Sequence, residues 1–188
     1  MEGVVLRISD GVTITIFGTF EASSAVLPST GQGDRWSGLV MESPYSNLLL
    51  DGTTLLEASP SIMFGGGNLA VDGGTISRSA SSRALIEVNE QVGGSFSLSN
   101  MRLTDGSSSC IDIIESTIQL HISNADFYAC NGPSIRAENA NVVIDDIVIG
   151  EGSSDGFVLS SIIGTIENVD ALEFNGAGMS LIHISEPT

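Results

Sequence analysis

NLLLDGTTL (Asn47–Leu55) is answered 21 residues later by NLAVDGGTI (Asn68–Ile76). Both read apolar-x-apolar-Asp-Gly-x-x-apolar. Outward from that octad, three more copies follow. They are Phe96-x-Leu98-Ser99-Asn100-x-x-Leu103, Leu120-x-Ile122-Ser123-Asn124-x-x-Phe127 and Val142-x-Ile144-Asp145-Asp146-x-x-Ile149. A weaker sixth, Gly164-x-Ile166-Glu167-Asn168, has its closing apolar residue one place late, at Leu172. The second apolar position recurs in steps of 21, 27, 24, 22 and 22 residues. A separate apolar cluster keeps the same phase, beginning at Leu39, Ile62, Leu85, Ile111, Ile135 and Val158. Two anchors sharing one period mark an internal repeat, and periods of this length belong to solenoids.

The residue two after the second apolar position is Gly52, Gly73, Asn100, Asn124, Asp146 and Asn168. Gly, Asn and Asp are the residues that enter the left-handed αL region most readily. A strand, a one-residue αL corner and a second strand therefore account for the octad. Alternation along the first strand places Leu50, Val71, Leu98, Ile122 and Ile144 inside, with Ala70, Ser97 and His121 outside. Leu49 and Val143 break the alternation and mark an outer contact.

No segment reads as a helix, because Gly, Ser, Asn and Thr interrupt the chain about every ten residues and β-branched residues are frequent. The expected fold is all-β: a right-handed parallel β-helix of about seven coils, with like residues stacked on like at ~4.8 Å. Asn100 and Asn124 should form a short asparagine ladder. Leu55, Ile76, Leu103, Phe127 and Ile149 should form an interior column. The rival is a leucine-rich repeat, which shares the period. That repeat puts its Asn three residues after the second Leu rather than two, and its longer L-x-x-L-x-L pattern is missing here.

The chain has 188 residues and a formal net charge of −17, from 23 acids against six basic residues, all Arg. Such a polyanion repels nucleic acid and acidic lipid headgroups, so neither is an expected partner. No apolar run is long enough for a membrane helix. Met1-Glu2-Gly3 leads straight into a strand-like stretch without the basic region of a signal peptide. Cys110 precedes its strand by one residue and Cys130 precedes the next by five, an offset that argues against direct stacking and favours two buried free thiols over a bond. Trp36 reads as a lid over the first coil, with a sugar-stacking platform as the alternative.

Several motifs together resemble right-handed parallel β-helix proteins of the pectate-lyase-like superfamily, over most of residues 3–178. GVTITIFGTFEA (Gly11–Ala22) is similar to their opening coil, and DRWSGLVME (Asp34–Glu42) to the W-x-G-I strand that follows, with Trp36, Gly38 and Leu39 in the matching positions. SSAVLPSTGQG (Ser23–Gly33) would be a loop bulging from the coil. The tail is of another kind: SLIHISEPT (Ser180–Thr188) resembles a translated transposase sequencing adapter. Residues 1–178 are therefore expected to be the β-helix and 179–188 a non-native tail. On that reading the natural protein continues past about residue 178, and Met1 need not be its natural start.

The resemblance implies a secreted or cell-surface protein with polysaccharide or surface glycan as its partner. Enzymes of this kind work in a groove along one face. Hydrolysis needs clustered carboxylates, with a His-Gly and an Arg-Ile-Lys in the family pattern. Asp145–Asp146 is the best carboxylate pair, but it lies on the repeat's own corner with neither companion. Lyase chemistry needs several carboxylates on Ca²⁺ and an Arg or Lys; Arg136 near Glu115 and Glu138 is the nearest approach. Asp51, Asp72, Asp145 and Glu167 should share one corner column, and Glu42 and Glu138 another. Stacked carboxylates of this sort make Ca²⁺ the one candidate ion. His121, facing outward, lacks a nucleophile or co-ligands. No catalytic residue and no cofactor is assigned. The residues proposed for glycan or ion contact are Asp145, Asp146, Glu115, Glu138, Arg136 and Trp36. The expected role is a non-catalytic structural or adhesive segment; the alternative is a fragment of a polysaccharide lyase or glycoside hydrolase whose catalytic coils lie elsewhere.

Overall fold

The computed structural model describes residues 4–30, 35–79, 82–89, 94–150, 155–171, 179–181 and 184–185. Every regular element among them is a strand. In chain order they are β1 (Ile14–Ile16), β2 (Thr19–Ser23), β3 (Val26–Leu27), β4 (Leu39–Met41), β5 (Asn47–Leu56), β6 (Ile62–Phe64), β7 (Gly67–Ser77), β8 (Ile86–Asn89), β9 (Gly94–Thr104), β10 (Ile111–Ile114), β11 (Gln119–Tyr128), β12 (Ile135–Ile149), β13 (Phe157–Ala171), β14 (Met179–Leu181) and β15 (Ile184–Ser185). All pair in parallel, as a β-solenoid of about six turns.

Three walls run along the axis. The first stacks β1, β4, β6, β8, β10, the starts of β12 and β13, and β14. Its rungs begin at Ile14, Leu39, Ile62, Ile86, Ile111, Ile135 and Phe157. Two anchors read from sequence, Leu85 and Val158, thus shift by one to Ile86 and Phe157. Leu85 is itself fully buried just ahead of its strand, so apolarity alone could not set the frame there. The second wall holds β2 and the first halves of β5, β7, β9 and β11, continuing into β12 and β13. The third holds β3 and the second halves of the same long strands.

The corner between second and third walls is the one the octads encode. Gly52, Gly73, Asn100, Asn124, Asp146 and Asn168 all have φ between 46° and 74°. Ser24 extends that column by one coil, at φ 50°. The strand register stacks Leu27, Leu55, Ile76, Leu103, Phe127 and Ile149 into one interior column, each essentially fully buried. Burying an aliphatic or aromatic side chain contributes roughly 1.5–3 kcal/mol, so each rung adds its own share of core. Phe64 and Phe96 meet edge to face inside, with ring centroids 5.5 Å apart.

Two features differ from the sequence reading, the start of the 23–33 segment and the cysteine pair. Ser23 closes β2 and Val26–Leu27 pairs with Thr54–Leu55, so the first part of the expected 23–33 loop is solenoid wall; residues 31–33 lie outside the described residues. The tail segments β14 and β15 pair in parallel with β13. Cys110 and Cys130 form a disulfide, Cα atoms 5.7 Å apart, in the fully buried core. The offset argument fails because it counts along strands. Cys130 lies in the corner that returns the chain from third wall to first, and that corner folds it back over Cys110 on the preceding rung.

Candidate functional site

The first wall carries an ionic column on its outer face. Register stacks Val40, Met63, Glu87, Asp112, Arg136 and Val158 in that order. Alternation dictates this placement: their neighbours Ile86, Val88, Ile111, Ile113, Ile135 and Ala137 fill the interior. Arg83 reaches Glu87 through two contacts, with Nε donating to Oε1 at 2.9 Å and an Nη2–Oε2 ion pair. That bond to Glu87 raises the Arg83 pKa further above its usual range. Arg136 Nε approaches Asp112 Oδ1 at 3.6 Å, too long for a hydrogen bond. Asp112 Oδ1 has no hydrogen-bond partner among the described residues. Burial pushes the Asp112 carboxyl above the ordinary Asp value, Arg136 pulls it back, and Glu87 and Glu138 add to the rise.

Arg136 and Glu138 thus share a face, while Glu115 turns a corner in αL, its N–H donating to the Glu138 carbonyl at 3.0 Å. Asp145 and Asp146 belong to the far corner, between second and third walls. There Asn168 Nδ2 donates to Asp145 Oδ1 at 2.8 Å, and Asp146 is the exposed αL residue. The six proposed contact residues are therefore not brought together. Trp36 is completely buried, and its Nε1–H donates to the Leu56 carbonyl at 2.9 Å. It is a core side chain with its polar atom satisfied, so the sugar-platform alternative is withdrawn.

The corner ladder runs Asp72–Asn100–Asn124. Asn124 Nδ2 donates to Asn100 Oδ1, and Asn100 Nδ2 donates to Asp72 Oδ1 at 2.5 Å. Ser99 Oγ also donates to Asp72 Oδ1, at 3.0 Å. These bonds, Asn100 first, hold the Asp72 carboxyl below its ordinary range, so it stays ionised. Beside the ladder the expected acid column is present in register: Asp51, Asp72, Ser99, Ser123, Asp145 and Glu167. The two serines divide it. Among the described residues no group of three or more His, Cys, Asp or Glu is placed to hold a metal ion. His121 projects outward and bonds Gln119 Oε1 at 3.1 Å.

The second wall has a shallow groove of about 320 Å³ over its N-terminal coils, lined by Glu21, Leu49, Asp51, Ala70 and Asp72 among others. Leu49, whose outward position the octad flagged, lies at its middle, 39% exposed. Among the described residues the two most exposed aromatic side chains are Phe17 at 73% and Tyr45 at 80%, both in turns that lead from the first wall to the second. Sequence reading passed over both, because neither belongs to the repeat; the signal available was an aromatic residue placed in a turn. Comparison with protein-family models, curated proteins and solved structures finds no match for this chain.

Proposed function

We propose that the chain is a structural or adhesive segment of a secreted or cell-surface protein. The observation that carries this reading is the Cys110–Cys130 bridge, buried in the core between neighbouring coils. Structural disulfides form and persist in oxidising compartments and are rare in a reducing cytosol. The architecture supports the mechanical half of the proposal. Each coil contacts only its neighbours and extends the same three hydrogen-bonded walls, so the molecule is a rod that presents repeated side chains along fixed faces. The test is to produce the chain in an oxidising and in a reducing compartment and titrate thiols after denaturation. The oxidised preparation should show no free thiol and resist protease longer. Two free thiols in that preparation, or equal protease resistance in both, would count against a secreted protein.

A second reading, a segment of a polysaccharide lyase or glycoside hydrolase, draws on Asp112. General acids carry a raised pKa, the direction in which burial moves the Asp112 carboxyl, and Glu87 and Arg136 flank it on adjacent rungs. Release of new reducing ends or unsaturated products from polysaccharides, abolished by Asp112→Asn, would favour this reading. Absence of turnover over a broad polysaccharide panel would favour the first.

A further inference from the structure

We infer that the end of the rod formed by residues 4–8, β1 and β2 is a self-association surface, through which two copies of the chain join end to end about a two-fold axis. The inference goes beyond the secreted-rod reading and does not depend on it. Among the described residues β1 and β2 each pair with a neighbour on one side only. The third wall ends in residues 4–8, bridged to the next coil at Val5–Val26 and Ile8–Ser29. What these three rungs leave uncovered is core. Ile14, Phe20 and Ala22 head interior columns and are only partly buried, whereas their partners on the next coil, Leu39, Leu48 and Leu50, are buried. One residue on from the Val5–Val26 bridge, Leu6 lies over fully buried Leu27 and is itself 48% exposed. Val4, Val5, Val12 and Phe17 add further exposed apolar surface at the same end. A strand edge with this much apolar surface, and without the Lys or Pro that usually blocks pairing, is a template for another strand.

The occupant must offer a β-edge of its own and an apolar end to cover the core, and a second copy offers both. The far end of the rod does not. There β14 and β15 already lie over β13, at Phe157–Leu159 and Ile162–Ile163, and residues 155–171 hold Asp155, Glu167 and Asp170 with no basic residue. The copies therefore join like end to like end rather than head to tail. The uncovered end is one turn of a ramp, farthest out at residues 4–8 and lowest at β2, because the chain advances ~4.8 Å per coil. A two-fold axis through the centre of β1 and the corner between second and third walls sets the high step of each copy over the low step of the other. It pairs β1 antiparallel with its own copy about Thr15. The Ile14 N–H donates inward to the Gly38 carbonyl at 3.0 Å, so alternation turns the Thr15 N–H and C=O to the free side, where the two copies exchange them. The same axis lays residues 4–8 of one copy along β2 of the other. Arg7 and Glu21 are the exposed, outward charges of those two rungs, so opposite charges meet twice in the dimer. The end is small for an interface, so the dimer should dissociate on dilution.

The experiment is sedimentation velocity of the full chain across a dilution series. Thr15→Pro, Arg7→Glu, Glu21→Arg, the double exchange of Arg7→Glu with Glu21→Arg, and a far-end control, Glu167→Arg, are run alongside. The parent should sediment as a reversible monomer–dimer pair with nothing larger. Thr15→Pro removes the donor at the centre of the β1 pairing and should leave monomer; proline is tolerated on an edge strand where the N–H makes no bond within the sheet. Each single charge reversal should weaken dimerisation about tenfold, because it turns two attractions into two repulsions. The double exchange should restore the parent's affinity, since the charges have only changed places. The control should leave association unchanged. Arg7 and Glu21 are exposed, so circular dichroism should report an intact fold in the charge variants, and these decide the question even if proline at position 15 perturbs its strand. The inference is overturned if the parent stays monomeric throughout, if it grows into filaments, if neither single reversal weakens association, if the double exchange fails to restore it, or if Glu167→Arg weakens it as much as the reversals do.

Discussion

Replacing Cys110 and Cys130 together by Ala isolates what the bridge contributes. The cysteines are 20 residues apart in sequence. In the chain-entropy account, cross-linking a loop of that size removes about 3 kcal/mol of freedom from the unfolded chain. For a chain of 150–250 residues each kcal/mol moves Tm by roughly 2–4 °C, so loss of the bridge should lower Tm by about 6–12 °C. Both cysteines are fully buried, so the alanine pair also leaves space where two sulfur atoms packed. The ordering expected in thermal and urea unfolding is therefore oxidised parent, then reduced parent, then the alanine pair. Hydrogen exchange should localise the difference to the coils on either side of the bridge, since a solenoid transmits stability mainly between neighbours. An oxidised parent and an alanine pair that melt within 2 °C of each other, roughly the shift of a single kcal/mol, would refute the reasoning.

Gly74→Ala should cost about 3 kcal/mol or more in urea unfolding, because a Cβ there would lie 2.0 Å from the Thr53 carbonyl oxygen and φ is +96°; a loss under 1 kcal/mol would contradict the close stacking of β5 and β7. Phe127→Ala should cost about 3–5 kcal/mol as a cavity in the interior column, read as a lower urea midpoint. Ala129 sits in αL at φ 51°, so Ala129→Gly should be neutral to stabilising by about 1 kcal/mol, whereas the same change at a strand position such as Ala137 should destabilise. Two carboxyls should give opposite pH responses in stability. Asp112, raised in the fold, contributes stability that is complete below the ordinary Asp pKa and is lost as pH rises through its folded value, so Asp112→Asn should flatten a decline on that side. Asp72, lowered in the fold, contributes stability present above the ordinary value and lost as pH falls through its folded value, so Asp72→Asn should soften acid unfolding.

Much of the scaffold was legible because one corner uses residues that advertise their conformation. All six corner positions read from the octads have positive φ, and the interior column stacks in the expected order. Other corners use the same αL backbone but place Asp or Asn there only once each, at Asp105 and Asn139. Glu57, Arg78, Asp105 and Ala129 form a second such column, at φ 51–63°. Ladder bonds hold them there instead, with the Glu57, Arg78 and Asp105 N–H groups donating to Ser77, Thr104 and Tyr128. Glu115, Asn139 and Ser161 make a third. A residue type that only tolerates αL under constraint leaves no mark in a sequence. The candidate sites were less legible for a related reason. Arg136 was noticed beside Glu138, but its partner Asp112 stands 24 residues away and becomes a neighbour only through register.

The three corners differ in how much length they tolerate. Between second and third walls the chain always turns on one residue, from Asp51 to Thr53, Ser123 to Ala125 and Asp145 to Ile147. Between third and first walls six residues separate Leu55 from Ile62 but nine separate Ile76 from Ile86. From first wall to second two residues separate Ile16 from Thr19 and five separate Met41 from Asn47. Insertions therefore have two permissive seams and one forbidden one. New loops, and whatever recognition they bring, can grow along those two seams while the tight edge keeps every rung in frame; Tyr45 already stands on such an outgrowth.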